Sequence, residues 1–172
     1  MLIDIQDLST QSIRPYGWVL GKAMPQDCGL PAFSNADISF WQEHIFDPGA
    51  GGEVEVLSVI YRNTQRTITS LEVHRLTEQA VIPLTGSIIQ ILAFSLPDGS
   101  PDTAGLRAFR VPVGQGICMR PGCWHATRVD SAEVRCLMLT RGSTTVDLVA
   151  HLAARSSLAE SEITSVYATL PA

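Results

Sequence analysis

The sequence predicts a mainly β protein, an antiparallel barrel or jelly roll with short helices toward its ends. Three observations carry this. Apolar runs of strand length recur at close spacing from Val54 to Thr140. Gly- and Pro-rich turn signals separate them at Pro97–Asp102, Pro112–Gly116, Arg120–Gly122 and Val129–Glu133. No repeat, low-complexity run or linker divides the 172 residues, so 1–172 reads as one domain. A chain of this length buries roughly 70% of its unfolded surface without staples.

Taken in order, Asp7–Ile13 suits a helical turn leading into Tyr16-Gly17, and Gly21–Pro31 and Asp47–Gly52 read as loops. Val54–Tyr61 and Thr67–His74 are strands, the second by its alternation. Ala80–Leu96 holds two apolar runs broken around Pro83 and Gly86. Ala108–Val113, Gly116–Met119 and Val134–Thr140 add three short strands. Thr144–Ala168 carries Val146, Val149, Ala150, Leu152, Ala153, Leu158 and Ile163, which fits one or two amphipathic helices.

Composition excludes several classes. Hydrophobic residues make up 45% and charged residues 17%, which is not the profile of a disordered chain. Twelve Lys+Arg against 17 Asp+Glu give a net charge of −5, so there is no electrostatic footprint for nucleic acid and no polybasic face for a membrane. No apolar run approaches the ~18 residues of a membrane span. The opening MLIDIQDLST lacks the basic and apolar regions of a secretory signal. Cys28, Cys118, Cys123 and Cys136 form no CxxC pair and read as reduced, buried small hydrophobes of a cytoplasmic protein. Lys22 is the only lysine and lies in a Gly/Pro-rich segment, which argues against lysine Schiff-base chemistry. The low charge points to a surface covered by a second copy of the chain.

One constellation carries chemistry. Glu72 and His74 stand two apart on a strand and share a face. Gln79 follows five residues later, and Gly86 seven beyond it. Farther on, Gly114, Gly122 and His125 place a second histidine just after a turn. Two imidazoles, a carboxylate and an amide inside a small barrel need partners or a metal. Glu72, His74, Gln79 and His125 could hold a divalent cation such as Ni, Zn or Mn. Equally, His74, His125 and Glu72 could work as acid and base with no cofactor.

The two patterns resemble the paired motifs of the cupin superfamily, with Glu72 at the first His position, His74 at the second, Gln79 at the acidic position and His125 as the last ligand. A closer resemblance is to the ureidoglycolate lyase family. It rests on Leu71-Glu72-Val73-His74, on Gln79 through Gly86, on Leu106-Arg107-Ala108-Phe109, on Gly114-Gln115-Gly116-Ile117 leading to Trp124-His125, and on Ile13 through Leu20. The resemblance spans about residues 8–150 and implies a cupin barrel, usually dimeric. It also implies cleavage of ureidoglycolate to glyoxylate and urea in allantoin (purine) breakdown, with a divalent metal described for some members.

On this resemblance His74, His125 and Glu72 are the catalytic candidates, and Gln79 would donate to a substrate carbonyl. Arg107, Arg120 and Arg141 are candidates for gripping the carboxylate through a planar fork. Trp124 would wall the pocket and Tyr16 would donate a hydrogen bond, although each is as readily a packing residue. The chain departs from the family at Trp124-His125-Ala126-Thr127, where the family has Trp-His-His-Pro, and at Phe40-Trp41-Gln42, where it has an Arg. These departures keep two alternatives open: a lyase for another small hydroxy- or amino-carboxylate, and a non-catalytic cupin that binds a small ligand. His44 and His151 read as lying outside the site.

Overall fold

The computed structural model describes residues 1–25 and 29–171. Cys28 and part of the Gly21–Pro31 loop lie outside the described residues. The elements in chain order are β1 (Ile5–Asp7), α1 (Thr10–Ile13), β2 (Gly17–Leu20), β3 (Ala32–Ser34), β4 (Ser39–Trp41), β5 (Val54–Tyr61), β6 (Thr67–His74), β7 (Gln79–Pro83), β8 (Ile88–Ala93), β9 (Arg107–Val111), β10 (Gly116–Met119), β11 (Trp124–Val129), β12 (Val134–Arg141), α2 (Gly142–Ala154) and β13 (Ser161–Thr169). A six-stranded sheet runs β1-β9-β8-β11-β6-β13, a five-stranded sheet runs β2-β10-β7-β12-β5, and β3–β4 form a small hairpin. Pairing is antiparallel except where β1 lies parallel to β9.

The two larger sheets face each other across a core of Val81, Ile88, Leu92, Phe109, Ile117 and Met138 with their neighbours. The six-stranded sheet has a second core on its other face, built from Leu71, Val73, Ile89, Ile91, Ala108 and Trp124 among others. The N-terminal segment closes that core. Leu2 bridges Thr169 at one edge of the sheet and β1 pairs with β9 at the other. With apolar residues wanted on both faces, β8 cannot alternate, and it reads Ile88-Ile89-Gln90-Ile91-Leu92-Ala93, buried throughout. Its one polar member is satisfied, because Thr127 Oγ1 donates to Gln90 Oε1 at 3.0 Å. β5, an edge strand with one open face, alternates along its length.

The strands read from Val54–Tyr61, Thr67–His74 and Gly116–Met119 coincide with β5, β6 and β10. The C-terminal reading is corrected. Helix α2 ends at Ala154, Arg155 turns into the left-handed region at φ 58, and Ser161–Thr169 pairs with β6 as β13. The apolar residues after Leu158 are too sparse for a helical stripe. Ile163 and Val166 are β-branched and complete a ladder that β6 would otherwise leave open. Strand β11 also escaped the sequence reading, although its ladder with β8 is one of the longest in the fold.

Two local features place the site. β6 and β11 pair at a single position, His125 opposite Glu72. Gly122, at φ 79, makes the turn that launches β11, and its N–H donates to the His74 carbonyl at 2.8 Å. The turn is thereby tied to the end of β6.

Candidate active site

Glu72, His74 and His125 meet on the face between the sheets. Glu72 Oε1 lies 3.3 Å from His125 Nε2 and 3.6 Å from His74 Nε2, and the two imidazole centroids are 5.1 Å apart. Both histidines are buried, and the Glu72 side chain keeps 36% of its surface open. The other ring nitrogens fix the tautomers. His125 Nδ1–H donates to the Cys123 carbonyl at 3.0 Å, which leaves Nε2 with its lone pair. His74 Nδ1–H donates to Ser161 Oγ at 3.0 Å, and the Gln79 amide donates to His74 Nε2 at 2.8 Å. Gln79 thus joins the cluster from the facing sheet.

His125 Nε2 is buried and finds no hydrogen-bond partner among the described residues. Glu72 is near it but not aligned for a hydrogen bond. A lone-pair nitrogen facing a carboxylate favours positive charge between them, either a proton or a metal ion. Glu72, His74 and His125 each offer one ligand atom, all within 4.8 Å of one another. The orphaned nitrogen and the N/N/O donor set both fit a divalent cation.

Electrostatics follows from this packing. Burial pushes the Glu72 carboxyl up, but the adjoining His125 and His74 imidazoles outweigh it and hold the group well below the usual carboxylate range. Glu72 is therefore ionised at neutral pH. Burial lowers the His74 pKa, Glu72 partly restores it, and the charge of His125 lowers it again, so His74 is neutral. Beside the cluster opens a cleft of about 260 Å³ lined by Tyr61, Ser70, Glu72, His125, Thr127 and Arg128 among others. Burial drives the Tyr61 phenol well above its ordinary value, Thr127 pulls it back, and the Glu72 charge adds to the rise. Tyr61 remains a proton donor.

The other residues expected at the site lie elsewhere. Trp124 alternates with His125 along β11 and so points into the second core, where Nε1–H donates to the Gly99 carbonyl at 3.1 Å. Tyr16 stacks on Phe94 at 4.4 Å in the main core. Arg107 is exposed and donates to the Leu106 carbonyl. Arg120 lies over the Trp18 ring at 3.9 Å. Arg141 donates to the carbonyls of Pro48 and Ala50 and to Ser143. Their guanidiniums are occupied with local carbonyls and rings, which sequence spacing does not reveal.

The cleft instead contains Tyr61, Thr127 and Arg128, which sequence reasoning missed. Reading WHATRV as a strand would have found Thr127, two residues beyond His125 and on its face. Arg128 donates to the carbonyls of Gln65, Thr67 and Thr127 and so caps the chain where β6 and β11 diverge. His151 bonds the Ser156 carbonyl, away from the cluster.

Residues 1–158 match the family model described as ureidoglycolate lyase. Ureidoglycolate lyases of Escherichia coli (strain K12 / DH10B) and Shigella boydii serotype 18 are each 38% identical to the chain over 63 residues. Those matches cover 37% of this chain and 39% of each relative. Among solved structures, RmlC from Streptococcus suis aligns with a TM-score of 0.44 at 12% identity, covering 64% of this chain and 60% of that one. The Campylobacter jejuni WlaRB TDP-quinovose 3,4-ketoisomerase aligns with a TM-score of 0.42 at 17% identity, covering 70% and 81%.

Proposed function

Because this chain belongs to the ureidoglycolate lyase family, we propose that it splits ureidoglycolate into glyoxylate and urea at the Glu72–His74–His125 cluster. The observation that carries the reading is the unpartnered, buried His125 Nε2 facing the Glu72 carboxylate. Ureidoglycolate bears its hydroxyl and its urea nitrogen on one carbon, so a single ring nitrogen can serve both. His125 Nε2 takes the hydroxyl proton, the oxygen's electrons form the carbonyl of glyoxylate, and the carbon–nitrogen bond breaks. The same nitrogen then delivers the proton to departing urea. Glu72, ionised 3.3 Å away, stabilises the transient imidazolium. His74, fixed by Ser161 and Gln79, packs on the other side of Glu72. Tyr61 offers a phenolic O–H to the substrate from the wall of the cleft.

Glu72, His74 and His125, with Gln79 beside them, are the residues that would hold a divalent cation such as Ni, Zn or Mn. When bound, such an ion supplies Lewis-acid polarisation of the substrate's hydroxyl and carboxylate oxygens. A homodimer is part of the same reading, supported by the outward apolar stripe Val146, Val149 and Leu152 on α2. A cytoplasmic location is supported by Cys118, Cys123 and Cys136, all free thiols.

The test is glyoxylate release from ureidoglycolate by the wild type and by His125→Ala. The variant is expected to lose about 10³-fold or more in kcat/KM. An unchanged value would remove His125 from the reaction, and a wild type that releases no glyoxylate would refute the substrate. One observation favours a second reading. At Trp124-His125-Ala126-Thr127 the chain lacks the second histidine and the proline of the family pattern, and Ala126 and Thr127 line the cleft there. A lyase for a related small hydroxy- or amino-carboxylate fits this arrangement, and a panel of such substrates distinguishes the two.

A further inference from the structure

The strand wall that carries Gln79 into the cluster has a second constellation on its other face. In β10, Ile117 and Met119 point into the core, so Cys118 between them points outward. Glu78 precedes inward-facing Gln79 and likewise faces outward. His44, from the segment between β4 and β5, lies over this face with its ring stacked on Trp18 at 4.0 Å. His44 Nε2 is 2.7 Å from Glu78 Oε2, and Cys118 Sγ is 3.5 Å from the same oxygen. The three ligand atoms all lie within 4.8 Å of one another. Glu78 and Cys118 are buried, and the His44 side chain retains 15% exposure, which leaves a path from solvent.

We propose that His44, Glu78 and Cys118 form a second metal centre that takes a zinc-class divalent cation and leaves its fourth position to water. The chemical argument is the donor set: imidazole nitrogen, carboxylate oxygen and sulfur together suit zinc, whereas the Glu72 cluster offers no sulfur. The geometric argument is spacing. Zinc bonds of about 2.0–2.3 Å at tetrahedral angles set neighbouring ligand atoms ~3.3–3.7 Å apart. Cys118 and Glu78 already stand at that separation, and His44 has to withdraw from Glu78 by about half an ångström.

On binding, the Cys118 S–H proton leaves to solvent and a metal–sulfur bond forms. His44 binds through Nε2 as the neutral ring, with its proton on Nδ1. The surroundings already hold the carboxylate in place. The Asp47 N–H donates to Glu78 Oε2 at 2.9 Å, and the Asp47 carbonyl accepts the Glu78 N–H at 3.1 Å. The metal would thus rivet segment 42–48 to the outer face of the five-stranded sheet, directly behind Gln79. This inference stands independently of the reaction proposed above.

The experiment strips the purified full chain with a chelator and titrates it with Co²⁺ alone. A sulfur-to-cobalt charge-transfer band in the near ultraviolet reports a thiolate ligand, which the Glu72 cluster cannot supply. The expected result is a saturable band in the wild type that Zn²⁺ displaces, that His125→Ala retains, and that Cys118→Ser abolishes. In His44→Gln, the cobalt affinity read from the band is expected to fall about tenfold or more. Near-ultraviolet circular dichroism checks that each variant is folded. If Cys118→Ser fails that check, His44→Gln decides, and undiminished affinity there overturns the proposal. Absence of the band in the wild type, or its survival in a folded Cys118→Ser, overturns it as well.

Discussion

Replacing Glu72 by Gln keeps the shape of the side chain and removes its charge, which isolates the electrostatic part of the cluster. The carboxylate oxygen is 3.3 Å from His125 Nε2. At an effective dielectric of about 20, a unit charge pair at that distance is worth about 5 kcal/mol. With 36% of the Glu72 side chain open, solvent screening reduces this to about 1–2 kcal/mol. Each ~1.4 kcal/mol is a factor of ten, so Glu72→Gln should lower kcat/KM for glyoxylate release by roughly 5- to 30-fold. A Glu72→Gln enzyme with unchanged kcat/KM would refute the idea that this carboxylate supports positive charge on His125.

Other expectations follow from the same geometry. Glu72 has a folded pKa below its ordinary 4.5, so the stability it contributes is present above that pH and lost as pH falls through the depressed value. His74 has a folded pKa below its ordinary 6.5, so the unfolded chain binds its proton first and stability falls as pH drops below 6.5. The wild-type Tm should therefore decline from about pH 6.5 downward, and His74→Gln should flatten the upper part of that decline. A profile that is flat to pH 5 contradicts the buried neutral ring. Tyr61→Phe, which removes the phenolic donor from the cleft wall, should reduce kcat/KM about tenfold with little change in Tm. Trp124→Ala should cost about 3–5 kcal/mol of unfolding free energy in a denaturant titration, because its side chain is fully buried in the second core.

The sheet core was legible because β5, β6, β7 and β10 follow short, regular patterns between Gly and Pro turns. The Glu72–His74 pair was legible for the same reason, since a two-residue spacing on a strand leaves little doubt about the face. His125 came from its place after Gly122, yet β11 itself was missed. Its apolar residues face two different cores, so it shows no single hydrophobic side. Trp124 illustrates the cost. It is adjacent to His125 in sequence and on the opposite side of the sheet in space. The arginines failed for another reason. A guanidinium travels far from its Cα, and whether it meets a carbonyl, a ring or a cleft depends on loops such as 48–52 that carry no pattern. His44 was set aside as peripheral because its partners, Glu78 and Cys118, lie 34 and 74 positions away on other strands.

The closure of the six-stranded sheet has a bearing on how the molecule is made. Leu2 bridges Thr169, and the Thr169 N–H donates to the Met1 carbonyl at 2.8 Å. The sheet is thus closed by two segments that lie far apart in the sequence, around Leu2 and around Thr169. During synthesis the second core, with Trp124 and Ile91 at its centre, stays open along one seam until β13 has emerged, whereas β5 to β12 can already assemble into facing sheets. A contact between segments this far apart in sequence is entropically expensive to form early and slows the final step. Until that seam closes, the second core around Trp124 and Ile91 stays open to solvent along one edge.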